Sequence, residues 1–205
     1  MVTRPLAVNP YNLIITGVGG QGNVLASRIV GNILSDLGYY VTIGETFGAS
    51  QRGGSVMSHL RISTDAVLSP QIPKGKAHMV VAVEPTEALR VLSNYGNIDT
   101  KVISNTRPVY SVGVISGESK YPDIDNIKEW MEKLTKSYWL IDATAEALKL
   151  GNPILSNVIL IGALAAVGDI PLDSKGFQKV ISRSMSHDKT KINLIAFGIG
   201  MASIL

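Results

Sequence analysis

The chain has 205 residues, of which 45% are hydrophobic and 6% aromatic, and its formal net charge is +3. This length and apolar content suit one well-cored domain over residues 1–205, and the absence of a dense basic run argues against a nucleic-acid partner. Because the sequence contains no cysteine, it cannot carry disulfides, a thiolate nucleophile, cysteine-bound zinc or a cysteine-held iron–sulfur cluster.

No apolar segment is predicted to enter a membrane. The longest one, Val158 to Val167, has ten residues and contains Gly162, whereas a helix needs about 20 residues to cross a bilayer. The N-terminal residues lack the apolar core of a signal peptide. We therefore expect a soluble protein without a membrane partner, and the lack of cysteine favours the cytoplasm.

Apolar periodicity and turn residues predict strands that alternate with helices along the chain. A buried strand at 12–16 and a glycine turn lead into a helix at 24–37. Further strands are predicted at 39–43, 56–62, 78–83, 101–104 and 138–141, and further helices at 84–92, 121–136, 143–150, 156–167 and, last, 174–184. This alternation predicts an α/β fold: a doubly wound, mostly parallel, Rossmann-like sheet with helices on both faces. The apolar tail at 192–205 is expected to join the core rather than form a partner surface.

The first glycine segment lies between the first predicted strand and the first helix. Its letters GVGGQG contain the G-x-G-x-x-G spacing at Gly17, Gly19 and Gly22. Glu45 follows 23 positions after Gly22, near the place of the ribose-binding acid in a dinucleotide-binding fold. Glycines there let backbone N–H groups approach a phosphate at a helix N-terminus. The alternative is a turn that only packs the helix on the strand. The Gln21 amide is placed to reach a ligand or an interface.

The second glycine segment, SQRGGS at 50–55, follows the second predicted strand. It is predicted to lie at the edge of the sheet where α/β proteins usually bind ligands. It combines the fork-shaped Arg52 guanidinium with backbone amides and a hydroxyl, a set suited to a carboxylate, a phosphate or an acidic loop. The alternative is a solvated loop whose arginine caps a helix. We interpret Arg52 as a functional or interface residue.

Four other polar features are candidates. His59 lies in the middle of a predicted strand without an evident serine or aspartate partner, so we interpret it as structural. Glu84 and Asp142 each precede a predicted helix, and we interpret both as helix caps. The segment Asn105 to Pro108 follows the carboxyl end of a predicted strand, so it is expected to face the same crevice as the glycine segments.

Five longer sequence segments are distributed over nearly the whole chain: GVGGQGNVLASRI, GETFGASQRGGSVMSHLRI, EPTEAL, SNTRPV and AFGIGMA. With them the sequence resembles the gamma-type subunits of 2-oxoacid:ferredoxin oxidoreductases, and most of all the beta subunits of the indolepyruvate enzymes. The GVGGQG and SQRGGSV signatures at this spacing are more specific than any lone glycine motif. Two positions depart from the family pattern, His78 and Ala49, and leave the 2-oxoacid open. The separate chain of 205 residues and the letters NTRPV favour indolepyruvate or another aryl-pyruvate.

The resemblance implies a complex that oxidatively decarboxylates a 2-oxoacid, transfers the acyl group to CoA and reduces ferredoxin. It implies that thiamine diphosphate, magnesium and the iron–sulfur clusters belong to a large partner subunit. This chain would carry no catalytic residue, no metal and no tightly bound cofactor, and would be inactive alone. In agreement, Gly168-Asp169-Ile170 does not match the Gly-Asp-Gly start of a thiamine site.

The resemblance also implies that the two glycine segments approach the active site of the partner, where they shape the site or contact the phosphates of CoA. The residues concerned are Gly17, Gly19, Gly20, Gln21, Gly22, Gln51, Arg52, Gly53, Gly54 and Ser55. Two other hypotheses remain open. One is a stand-alone dinucleotide-dependent oxidoreductase, supported by Glu45 but weakened by the lack of an acid–base pair. The other is a non-enzymatic nucleotide-binding or regulatory module.

Overall fold

The computed structural model describes residues 5–48 and 54–204. Its strands are β1 (Tyr11–Val18), β2 (Tyr40–Phe47), β3 (Ser55–Ser63), β4 (Met79–Ala82), β5 (Lys101–Asn105) and β6 (Ser137–Ile141). Its helices are α1 (Asn23–Asp36), α2 (Pro85–Tyr95), α3 (Val112–Ile115), α4 (Ile124–Leu134), α5 (Ala143–Lys149), α6 (Leu155–Val167), α7 (Ser174–Ile181) and α8 (His187–Ala202). Among these residues no helix is long and apolar enough to span a membrane.

The six strands form one sheet in the order β2-β3-β1-β4-β5-β6. Strands β1, β4, β5 and β6 pair in parallel, and β3 runs antiparallel to both β1 and β2. The predicted α/β fold with a mostly parallel sheet is thus confirmed. The insertion of β3 separates β2 from β1, so the strand that follows α1 does not lie beside β1.

Helices cover both faces of the sheet, as predicted. Strand β1 is buried along its whole length, and its side chains alternate between two cores. Leu13 and Ile15 join the larger core, which contains apolar side chains of α1, α5, α6, α7 and α8. Ile14 joins the smaller core under α2 and α4. The continuous apolar run of β1 therefore reflects its central place, buried on both faces.

The sequence pattern missed two helices, the single turn α3 and the long helix α8. The predicted last helix ends near residue 184, before α8 begins. The glycines of α8 lower helix propensity, and its apolar residues form no single stripe at helical spacing. In the structure α8 lies against α6, with Ala196 and Phe197 buried in the larger core. The expectation that the apolar tail joins the core is correct for these residues.

Glycines make the contact between α6 and α8 close. A Cβ atom built on Gly162 of α6 would lie 2.0 Å from the carbonyl oxygen of Phe197. A Cβ atom on Gly200 of α8 would lie 1.8 Å from the carbonyl oxygen of Ile159. Real Cβ atoms do not approach backbone atoms so closely, so the backbones of α6 and α8 can meet only where side chains are absent.

Candidate functional site

The carboxyl ends of the parallel strands meet at one edge of the sheet, where the first glycine segment and the described end of the second segment lie. The first segment follows β1, and Gly54 and Ser55 precede or begin β3, which runs in the opposite direction. Strand order reverses between β1 and β4, the position at which open α/β sheets bind ligands. Two clefts of about 460 Å³ and 380 Å³ open at this edge.

The two glycine segments are in direct contact. The N–H of Gly19 donates to the carbonyl oxygen of Gly54 at 2.8 Å. Ser55 then donates its hydroxyl to a carboxylate oxygen of Glu87 at 2.5 Å. The sequence pattern placed both segments at one edge of the sheet, and this geometry joins their described parts. Gln51, Arg52 and Gly53 lie outside the described residues.

The first glycine segment is held by its own side chains. The Gln21 side-chain oxygen accepts from the N–H of Val18 at 2.7 Å, and the Gln21 amide nitrogen donates to the Val83 carbonyl at 3.5 Å. Asn23 donates its amide to the Val18 carbonyl at 3.3 Å. The Gln21 amide therefore stabilises the turn from within, and Gln21 also lines one of the two clefts. Its contact with a ligand or an interface stays a prediction.

The glycines of the first segment are needed for different reasons. A Cβ atom on Gly17 would lie 2.7 Å from the Gln21 side-chain oxygen, and one on Gly22 would lie 2.4 Å from the Asn157 amide nitrogen. At both positions a Cβ atom would displace a polar side chain that holds the turn, and Gly22, with a φ of 81°, also has a backbone conformation that favours glycine. Gly20 has a φ of 98° and no atom within 4 Å of its Cβ position. Open space for a ligand therefore lies over Gly20 and not over the whole motif.

The smaller cleft begins at Gly20. It is lined by Gly20, Gln21, Arg107, Val109, Thr144, Leu148, Pro153, Ile154 and Ser156, and Arg107 is the charged residue among these lining residues. As expected, the segment after β5 faces the same crevice as the first glycine segment. An exposed guanidinium beside the N-terminal end of α1 gives this cleft a positive potential, which suits an anionic group.

Asn105 at the end of β5 fixes the segment that carries Arg107. Its amide nitrogen donates to the Val83 carbonyl at 3.1 Å and to the Thr144 hydroxyl at 2.9 Å. Its side-chain oxygen accepts from the N–H of Thr144 at 3.3 Å. This buried residue therefore ties the ends of β4 and β5 to the first turn of α5. The sequence pattern placed Asn105 in the crevice without revealing these bonds.

The larger cleft contains buried carboxylates. Glu84 and Glu87 are almost fully buried and line it together with Arg90 and Lys120. Arg90 pairs with Glu87 at 3.2 Å. Carboxylates repel a phosphate, and Arg90 is already paired with one of them, so this cleft is less suited to a phosphate than the smaller one.

Glu84 caps α2, as predicted, and its carboxylate also accepts hydrogen bonds from two other segments. One carboxylate oxygen accepts from the N–H of Glu87 at 2.9 Å. The other accepts from the Tyr121 hydroxyl at 2.5 Å and from the N–H of Val109 at 3.4 Å. Burial, together with the Glu84 carboxylate, raises the pKa of Tyr121, so its hydroxyl remains a donor. Glu84 thus links α2 to the two segments that border the clefts.

Replacing Tyr121 with phenylalanine is expected to lower the free energy of unfolding by about 1–2 kcal/mol, since it removes a donor from a buried carboxylate. Tyr138→Phe is the matched control, because the Tyr138 hydroxyl donates to an exposed carboxylate, that of Glu132. Urea unfolding of both variants measures the difference. Equal stability of the two variants would contradict the role given to the Tyr121 hydroxyl.

Glu45 does not occupy the place that the dinucleotide hypothesis requires. It lies within β2, not at the end of a strand, and β3 stands between β2 and β1. Two strand spacings, about 10 Å, therefore separate β2 from the strand that leads into the first glycine segment. The Glu45 carboxylate lies 3.9 Å from the Arg28 guanidinium. The G-x-G-x-x-G spacing thus occurs here without the adjacent acidic strand of a dinucleotide site.

The remaining candidates are structural, as predicted. His59 is buried, packs edge-on against the Tyr95 ring and accepts a long hydrogen bond from the N–H of Ile72. Burial lowers its pKa, so the neutral imidazole is favoured. Asp142 accepts from the N–H of Ala145 and caps α5. Among the described residues no cluster of histidine and acidic side chains is arranged as a metal site.

Exposed apolar side chains surround the clefts. Eight of the large exposed hydrophobic residues in the described part of the chain lie at this edge: Leu25, Phe47, Val109, Tyr110, Val112, Ile115, Leu148 and Ile154. Val112 and Ile115 are 82% and 75% exposed on the single turn α3, which follows β5. Apolar side chains concentrated around a cleft indicate a surface that another protein covers. We refer to these eight residues as the apolar rim.

The sequence matches the pyruvate ferredoxin/flavodoxin oxidoreductase family over residues 12–203. The chain belongs to this family. The match includes both glycine segments and α8.

Relatives with nearly the same length support this assignment. Indolepyruvate oxidoreductase subunit IorB of Pyrococcus horikoshii is 38% identical over 93% of this chain and 94% of its own. The IorB subunit of Archaeoglobus fulgidus is 35% identical over 92% of each chain. The 2-oxoglutarate synthase subunit KorC of Methanothermobacter marburgensis is 25% identical over 93% of this chain and 95% of its own. These relatives are named as subunits, and the chain covers more than nine tenths of the length of each.

Solved structures share the fold. The pyruvate oxidoreductase subunit PORC of Thermotoga maritima superposes with a TM-score of 0.71 at 20% identity, over 96% of this chain and 97% of its own. The 2-oxoglutarate:ferredoxin oxidoreductase of Magnetococcus marinus, with 2-oxoglutarate, coenzyme A and succinyl-CoA bound, gives a TM-score of 0.74 at 16% identity. The match covers 96% of this chain but 31% of that one. The fold thus occurs both as a separate chain and as part of a longer one.

Proposed function

We propose that this chain, as a single domain of residues 1–205, is the small subunit of an indolepyruvate ferredoxin oxidoreductase. The observation that carries the proposal is the 38% identity to an indolepyruvate oxidoreductase subunit over nearly the whole of both chains. Identity to the 2-oxoglutarate subunit is lower, at 25%, which favours an aryl-pyruvate as the 2-oxoacid. The complex decarboxylates this acid oxidatively, forms the acyl-CoA and reduces ferredoxin.

The redox chemistry of the complex takes place on a larger partner subunit. The iron–sulfur clusters are assigned to that partner because this chain has no cysteine to hold one. Thiamine diphosphate and magnesium are assigned to it because the resemblance to the family implies this. A reducing compartment, the cytoplasm, agrees with the same absence. This chain is required for turnover but transfers no electrons itself.

The smaller cleft is proposed to receive a phosphate group of CoA, the substrate that accepts the acyl group. Gly20 lies at the open part of the first glycine segment, where a ligand can approach its backbone, and Arg107 supplies a cation to the same cleft. Both groups fit an anion, and no carboxylate lines this cleft among the described residues. Gly54, which accepts from Gly19 of the first segment, lines the larger cleft at the same edge of the sheet. Arg52 of the second segment is proposed to provide a further cation for CoA.

The apolar rim is proposed to dock on the large subunit. Three of its residues, Val109, Leu148 and Ile154, line the clefts themselves. Docking there would place the glycine segments over the active site of the partner and exclude water from it. In the Magnetococcus enzyme the same fold is part of a chain about three times as long. A separate chain with this fold needs a non-covalent interface instead, and the rim supplies apolar area for one.

The test is purification of the tagged chain from its native host without oxygen, followed by assay of CoA-dependent dye reduction. We expect a brown, cysteine-rich, thiamine-binding partner to be retained and indolepyruvate to be oxidised faster than pyruvate, 2-oxoglutarate or a branched-chain 2-oxoacid. Faster oxidation of another 2-oxoacid would contradict the substrate but keep the class of enzyme. A chain that is purified alone, without activity, would contradict the proposal, and binding of a nicotinamide cofactor would then favour the dinucleotide hypothesis.

A further inference from the structure

Helix α6 carries polar side chains only where it meets the first glycine segment. Its sequence, LSNVILIGALAAV, has two polar residues, Ser156 and Asn157, both in the first turn and both buried. Ser156 lines the smaller cleft. Asn157 is 3% exposed and directs its amide nitrogen toward the carbonyl oxygens of Gln21 and Gly22, each at 3.4 Å. Burying a side-chain amide costs free energy unless the amide makes hydrogen bonds, so these contacts stabilise Asn157 in an otherwise apolar helix.

The two carbonyls held by Asn157 lie where the glycine turn becomes α1. Gly22 is the N-cap residue of α1, with a φ of 81°. Its carbonyl oxygen also accepts the first hydrogen bond of the helix, from the N–H of Ala26 at 3.0 Å. The peptide groups on either side of Gly22 therefore set the direction in which α1 starts. Gly20 lies two residues before Gly22, in the same turn.

The contact between Asn157 and Gly22 is tight. A Cβ atom on Gly22 would lie 2.4 Å from the Asn157 amide nitrogen, so glycine at this position makes room for the amide. On the other side of the turn, the Gln21 side chain holds Val18 and reaches Val83. The turn is thus fixed from the β1 side by Gln21 and from α6 by Asn157, which is 135 positions away from Gly22 in the chain.

We infer that Asn157 is a positioning residue for the smaller cleft. Its amide holds the Gln21 and Gly22 carbonyls and so keeps the Gly20 N–H and the first turn of α1 directed at the bound anion. The inference rests on the proposed function, in which that anion is a phosphate of CoA. Asn157 touches neither CoA nor the reacting atoms; it acts through the glycine segment.

The test is Asn157→Asp in the full-length protein purified in its native assembly. The carboxylate has nearly the same shape but cannot donate, and it repels the two carbonyls. Asn193→Asp is the matched control, because Asn193 of α8 is also buried and its amide nitrogen donates to a backbone carbonyl, that of Lys189, at 2.8 Å. The measurements are amide hydrogen exchange of residues 19–25 and the separate kcat and KM values for CoA and for the 2-oxoacid.

Asn157→Asp is expected to speed exchange of residues 19–25 and to raise the KM for CoA about tenfold, with kcat and the KM for the 2-oxoacid little changed, because a misplaced binding group weakens binding steeply. Asn193→Asp is expected to change none of these. Exchange of residues 19–25 as slow as in the wild type would overturn the inference. So would faster exchange with an unchanged KM for CoA, which would leave Asn157 a purely structural role.

The exchange measurement separates this inference from the proposed function. If the wild-type assembly oxidises no 2-oxoacid, the proposed function fails and the role of Asn157 toward CoA fails with it. Exchange of residues 19–25 would still confirm or contradict that Asn157 holds the glycine segment. If the wild-type assembly is active and Asn157→Asp behaves as Asn193→Asp does, the inference fails and the proposed function stands.

Discussion

Gly200→Ala is expected to lower the free energy of unfolding by about 3 kcal/mol or more, because the added methyl group overpacks the contact between α8 and α6. Its Cβ atom would lie 1.8 Å from the Ile159 carbonyl oxygen and 2.9 Å from the Ala163 backbone nitrogen. These atoms belong to the backbone of α6, so no change of side-chain rotamer can relieve the overlap. The two helices must separate, and the apolar contacts along their whole interface weaken together.

Gly198→Ala is the control, two residues earlier in the same helix. Gly198 is exposed, and no atom lies within 4 Å of its Cβ position. Alanine in a helix interior is favoured over glycine by about 1 kcal/mol, so this variant is expected to be slightly more stable than the wild type. We expect the urea midpoint to fall for Gly200→Ala and to rise slightly for Gly198→Ala. This difference would separate the effect of helix–helix packing from the effect of helix propensity. A Gly200→Ala variant as stable as Gly198→Ala would show that α6 and α8 do not pack as described.

The sequence predicted most of the fold because its strands and helices follow simple patterns. β1 reads as a continuous apolar run, and α4 alternates buried and exposed positions at helical spacing, as Ile127 and Met131 show. Helix α8 was not predicted because close backbone contact replaces the usual stripe of large apolar residues. The place of β3 in the sheet was not predicted because strand order depends on long-range pairing, which the periodicity of the sequence does not encode.

The candidate site was located by the sequence but not explained by it. The glycine motif correctly marked the turn after β1, and the Asn105 segment was correctly placed in the same crevice. The reason for the glycines was not visible, because Gly22 is required by Asn157, which is distant in sequence. The extra partners of Glu84 were equally hidden, since Tyr121 reaches it from a segment between α3 and α4. Local patterns locate a turn, whereas only the folded chain shows which groups remain free for a ligand.

The described groups divide the site into an internal part and an open part. Gly17, Gln21 and Gly22 are occupied by contacts within the protein, so substitutions there would act first on the shape of the turn. Gly20 and Arg107 face the smaller cleft. The apolar rim surrounds the open part. A cleft that is partly polar and bordered by exposed apolar side chains becomes a closed site only when a second protein covers the rim.

Ile115→Glu is therefore expected to weaken binding of the large subunit by at least about 100-fold, because docking would bury an unpaired carboxylate. Ile115 is 75% exposed on α3, next to the larger cleft, so the variant chain should fold as the wild type does. The measurement is the amount of large subunit retained by the tagged chain, together with CoA-dependent turnover at saturating 2-oxoacid.

Ile98→Glu is the matched control, with an isoleucine that is 67% exposed. It lies in the turn before β5, at the opposite edge of the sheet from the apolar rim. We expect this variant to retain the large subunit and full turnover. Loss of the partner in both variants would point to a general effect of added charge, and retention in both would show that the rim is not the docking surface. Loss in Ile115→Glu alone would place the interface at the edge that holds both glycine segments.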